Sequence, residues 1–125
     1  MPALTLELGF ADDGDPTCRA TVCSGSINGT VQFRYFPHEE LRDFAQLLKS
    51  CPLPHDVAEQ WNGGSLKLGV ERVGTVGQLR FLAFIQDEYD EFNFVQIRVP
   101  TSYEALRQFA HDLTDSIGIG GTAKL

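Results

Sequence analysis

The stretch LRDFAQLL, residues 41–48, returns as LRQFAHDL at residues 106–113, and that recurrence decides how the rest of the chain is read. Working outward, VQFRYFP at 31–37 precedes the first block as VQIRVP at 95–100 precedes the second. Further upstream, LELG at 6–9 returns as LKLG at 66–69, followed at matching distances by Gly14 and Gly74. The blocks keep their order, which is the sequence signature of an internal repeat. The 125 residues are expected to form a single domain, 1–125, made of copies at 1–50 and 64–116, a connector at 51–63 and a frayed tail at 117–125.

Each copy reads as strand, strand, strand, helix. In the first, LTLELGF alternates apolar and polar positions, TCRATVC is a second β-like run and GTVQFRYF a third. SGSINGT lies between the last two, and its Asn28-Gly29 pair predicts a tight hairpin turn. The second copy offers SLKLGVE, QLRFLAFIQ and FNFVQIRV. Leu41, Phe44, Ala45, Leu47 and Leu48 recur at helical spacing, as do Leu106, Phe109, Ala110 and Leu113. Pro37 suits the start of the first helix and Pro52 its end; Thr101 and Glu104 have capping-box spacing, and Gly118 is a stop signal. Helices and strands with one apolar face each must cover one another. The expectation is an α+β fold: two tandem βββα units in a six-stranded, mainly antiparallel sheet, with two helices on one face and a pseudo-two-fold axis.

Composition narrows the function classes. A chain of this length buries roughly two-thirds of its extended-chain surface on folding, so no disulfide or metal staple is needed. Apolar runs are too short for a membrane span, and the N-terminus lacks the pattern of a secretory signal. Cys18, Cys23 and Cys51 are odd in number and show no metal-ligand spacing, which predicts reduced thiols in a cytoplasmic protein. Seventeen acidic against ten basic residues give a net charge of −7. That field repels phosphate backbones, so nucleic acid is excluded as a partner and a basic protein is favoured.

The candidate sites each have a structural explanation beside the functional one. DEYDE, residues 87–91, sets Asp87, Glu88, Asp90 and Glu91 around Tyr89 at the expected hairpin tip. It lacks the frame of a calcium loop, and side chains in a tight hairpin diverge, so a solvated tip ranks first, recognition of a basic partner second and a divalent-cation site last. Tyr89 favours recognition because it supplies contact area at low entropic cost. Gln32, Arg34, Gln96 and Arg98 alternate with apolar residues and are expected on one open sheet face, a docking platform or plain solvent-facing surface. ADDGDP at 11–16 reads as turn chemistry. Cys51, His55 and Asp56 resemble a thiol–imidazole–carboxylate set without the geometry that nucleophilic catalysis needs. His38 and His111 read as surface or capping residues. No catalytic, metal-ligating or cofactor-binding motif is present, so neither metal nor cofactor is implied.

With these blocks placed, the chain resembles small bacterial immunity-like proteins of polymorphic toxin systems. The likeness runs from Gly25 to Leu113: a G-x-V-x-F strand, the helix LRDFAQLL, the run WNGGSLKL, a long hairpin, and a last strand feeding a closing helix, with Pro100, Thr101, Ser102 and Tyr103 matching that junction in part. The resemblance implies a non-catalytic protein that binds and neutralises a cognate, often basic, toxin. Two alternatives stay open: a ligand-binding protein or enzyme with a pocket between the helices and segment 51–64, edged by Trp61 and Cys51, and a homo-oligomeric adaptor.

Overall fold

The computed structural model describes residues 1–50, 52–53, 55–74 and 78–125. Three antiparallel strands come first: β1 (Leu4–Phe10), β2 (Pro16–Ser24) and β3 (Ile27–Phe33). A 3-10 turn, His38–Leu41, leads into α1 (Arg42–Lys49). Then follow β4 (Val57–Trp61), β5 (Leu66–Val73), β6 (Gln78–Gln86), β7 (Phe94–Thr101), α2 (Tyr103–Ser116) and β8 (Gly121–Lys124).

The fold is α+β, but the single six-stranded sheet is replaced by two four-stranded antiparallel sheets, ordered β3-β2-β1-β8 and β7-β6-β5-β4. The difference comes from two stretches that carry too little alternation to read as strands. Within the expected connector, β4 pairs with β5, matching Val57 to Val70 and Trp61 to Leu66. Within the expected frayed tail, β8 pairs with β1, matching Ala123 to Leu6, and Leu125 exchanges backbone hydrogen bonds with Leu4. Ala123, 1% exposed, holds that tail in the core.

The inner faces of both sheets and the apolar stripes of both helices merge into one core. β1 contributes Leu4, Leu6 and Leu8, and β6 contributes Phe81, Ala83 and Ile85, in each case at every second residue. Phe44 and Leu48 of α1 and Leu106, Phe109 and Leu113 of α2 fill the space between, and Phe109 meets Phe81 edge-on at 6.2 Å. The helix start of α2 is one residue later than expected, because Ser102 accepts the Ala105 N–H at 3.1 Å and is the cap.

The tight turn of the β2–β3 hairpin is also displaced. It lies at Gly25 and Ser26, where Gly25 has φ +61°, and Asn28 and Gly29 are inside β3. Gly29 serves a different purpose there. A Cβ at that position would stand 2.7 Å from Val95 Cγ2 and 3.7 Å from Ile85 Cδ1, so its bare backbone lets β3 approach the second sheet.

His38, expected at the surface, is buried at 4% exposure between Phe10 and the backbone. Gly118 N–H donates to Nδ1 at 3.4 Å, so the neutral ring carries its proton on Nε2, which donates to the Thr17 carbonyl at 2.9 Å. One imidazole thus links β2 to the chain that leads into β8. His111, by contrast, is exposed on α2.

The contact between the sheets at Gly29 has a measurable signature. Gly29→Ala is expected to cost about 1–3 kcal/mol through overpacking. In that background Val95→Ala, which removes the clashing methyl, is expected to cost less than it does in the parent, giving a coupling of about 1 kcal/mol by urea denaturation.

A candidate binding groove beside the edge of β3

Sheet order leaves β3 with one unpaired edge, and the β6–β7 hairpin lies beside it. A groove of two adjoining hollows runs along this edge. The first, about 330 Å³, is lined by Gly29, Thr30 and Val31 on one side and by Ile85, Phe92, Phe94 and Val95 on the other. The second, about 320 Å³, is lined by Val31, Gln32 and Arg34 facing Asp87, Glu88 and Tyr89. Successive side chains in a strand point to opposite faces, so consecutive residues from 29 to 32 can line one groove only where it follows the strand's edge. No backbone hydrogen bond joins β3 to the hairpin tip among the described residues.

The tip is built by its own carboxylates. Asp87 Oδ1 accepts the Tyr89 N–H at 2.8 Å, and Asp90 Oδ1 accepts the Phe92 N–H at 3.0 Å. Asp90 Oδ2 also accepts from the Asn93 amide at 2.9 Å, and the Asp87 N–H donates to the Asn93 carbonyl at 2.9 Å. Two of the four carboxylates therefore shape the turn. Glu88 and Glu91 project into solvent. Tyr89 and Phe92 are 79% and 84% exposed. The guanidinium of Arg34 sits 5.8 Å from the Tyr89 ring centre, the one cation–π contact between the tip and the β3 side of the groove.

The expected site residues therefore divide. Gln32 and Arg34 meet Asp87, Glu88 and Tyr89 across the groove. Gln96 and Arg98 belong to the other sheet, so the single open face expected for all four does not exist. On that second sheet Arg98 Nε lies 3.4 Å from Glu71 Oε1, while Phe84 stacks on Phe94 at 5.5 Å with Lys67 Nζ 4.8 Å from the Phe84 ring centre. Phe92, Phe94, Thr30 and Val31 line the groove without having been singled out in the sequence. The signal for the two phenylalanines was FNF, apolar residues set directly against the acidic run.

Other candidates have structural duties. The Asp15 N–H bonds Asp13 Oδ1 at 3.0 Å, and Gly14 has φ +90°, which makes residues 11–16 a turn. Asp56 Oδ1 accepts the Arg72 N–H at 2.9 Å, His55 is exposed, and Cys51 lies outside the described residues. Trp61 is core: its ring meets Phe44 edge-on at 5.3 Å, and its N–H donates to the Glu40 carbonyl at 3.0 Å. No group of three or more His, Cys, Asp or Glu side chains converges to hold an ion among the described residues. Comparison of the chain with protein families, curated proteins and solved structures finds no match.

Burial first, and the nearby Glu7 charge second, push the Cys18 thiol up from 9.0 to about 12. A thiol whose folded value is raised holds its proton longer than in the unfolded chain, so its contribution is complete below pH 9 and is lost as pH rises toward 12. Cys18 is expected to resist alkylation at pH 8 while Cys23 reacts, as read by peptide mass mapping. Above pH 9, Cys18→Ala is expected to lose stability less steeply than the parent. At the groove, Tyr89→Ala removes a contact worth about 0.5–1 kcal/mol at an exposed site. Amide exchange across residues 87–93 is then expected to speed up roughly two- to fivefold, with β6 and β7 unchanged.

Proposed function

We propose that this protein is a non-catalytic, acidic binding domain for a basic protein, acting as an immunity-like partner that blocks a cognate toxin. The observation that carries this reading is the exposed aromatic set Tyr89, Phe92 and Phe94 at 79%, 84% and 59% exposure, beside the acidic tip. Large aromatics left in water are the residue type that anchors interfaces, and the surrounding carboxylates repel acidic competitors while drawing in cations. The net charge of −7 extends that attraction beyond the tip. The framing as a toxin partner comes from the resemblance of the strand and helix blocks. No helix of the described residues is long and apolar enough to cross a membrane; the free Cys18 and Cys23 suit a cytoplasmic setting.

The test is affinity capture followed by titration of the purified partner, comparing the parent with a variant carrying Asp87→Asn, Glu88→Gln, Asp90→Asn and Glu91→Gln. Asparagine keeps an oxygen to accept the Tyr89 and Phe92 amides, so the turn survives while its charge is removed. A basic partner is expected, bound roughly tenfold or more weakly by the variant, with the difference shrinking as salt is raised. A partner that is acidic, or that both proteins bind equally at low salt, overturns the assignment.

A further inference from the structure

Resting on that reading, we infer that the partner is held through an extended, basic segment that adds as a fifth strand to the free edge of β3. Three features of the groove lead to this mode. The first is the edge itself: β3 ends its sheet, runs for seven residues without proline, and offers unpaired backbone donors and acceptors to any strand of matching register. β7, the other free edge facing this region, is interrupted by Pro100, which has no N–H to give.

The second feature is the pair of hollows. A strand laid antiparallel to β3 runs from Arg34 toward Gly29. Its first residues meet Asp87, Glu88 and Tyr89, and its later ones meet Ile85, Phe92, Phe94 and Val95. The occupant that fits carries Lys or Arg toward its N-terminal end and an apolar side chain about two residues later, since alternate residues share a face. A second copy of this chain is disfavoured as the occupant, because pairing two β3 edges about a two-fold axis brings both sets of four carboxylates together.

The third feature is what now covers the edge. Residues 87–93 bond mainly among themselves, and among the described residues no backbone hydrogen bond ties them to β3. Arg34 against Tyr89 is the only cation–π contact holding the tip to this side, and Tyr89 is largely exposed. The tip therefore stands against the edge as a wall not paired to it, which shifts to admit a strand and then lies along it. Near Gly29 the sheets are already in contact with Val95, so pairing extends along residues 30–34.

The probe is a synthetic eight-residue peptide of alternating Thr and Val with two Lys at its N-terminal end, together with the same peptide N-methylated at alternate backbone amides. Titration followed by amide shifts and hydrogen exchange is expected to show new protection of those amides between Thr30 and Phe33 that point away from β2. N-methylation of the face toward β3 is expected to weaken binding about tenfold or more, because it deletes several backbone hydrogen bonds. Tyr89→Ala, which removes an aromatic wall of the second hollow, is expected to weaken binding two- to fivefold. If both peptides bind equally and the β3 amides are unaffected, strand addition is overturned while recognition of basic proteins at the tip stands. If the unmodified peptide does not bind at millimolar concentration, strand addition is likewise overturned, and the capture experiment alone decides the broader reading.

Discussion

The pairing of β8 with β1 is the constraint on which the rest of the structure depends. β1, β2 and β3 form a meander whose fourth strand is supplied from the far end of the chain, after α2. The second sheet is completed in the same way by β4, which follows α1. Neither meander has its full set of four strands from its own half of the chain. The inner faces of both sheets and both helices consequently share a single core, and Leu125 is tied to Ala3 and Leu4 by backbone hydrogen bonds at 2.7–3.3 Å. The β1–β8 pairing links residues more than a hundred positions apart, and its closure entropy is repaid only when the shared core is in place.

This exchange also fixes where the protein is open. Because β8 occupies the outer side of β1 and β4 that of β5, the opposite ends of the two sheets are β3 and β7, and they contact each other. Gly29 permits the approach, with the missing Cβ standing in for the space that Val95 fills. Beyond that point the two hollows lie between β3 and the 87–93 segment. The groove is thus a by-product of sheet order, and its aromatic and acidic wall is what the hairpin sequence adds to it.

The elements legible in the sequence were those with strong periodicity. LTLELGF and QLRFLAFIQ match β1 and β6 residue for residue, because one face of each is buried and the alternation is clean. β4 and β8 were not legible for the opposite reason. VAEQW buries only its two ends, and GTAK buries one alanine, so neither carries a period, and flanking prolines or glycines suggest loop. Asn28-Gly29 misled because a glycine needed for close approach between sheets has the same appearance as one needed for positive φ. The acidic tip was readable as a tip. Its meeting with Gln32 and Arg34 was not, since being the edge strand is a property of strand order and leaves no mark on the residues of β3.

An exposed strand edge and exposed aromatics are ordinarily hazards, since both invite self-association. Here the two lie side by side, with Asp87 and Glu88 lining the groove between them. The excess of acidic charge on the tip penalises a second copy of the chain, whose own tip carries the same charge, while Arg34 is the one cation among the described residues that lines the groove. Asp87 and Asp90 accept the amides that form the turn and also carry its charge, so shape and selectivity reside in the same side chains.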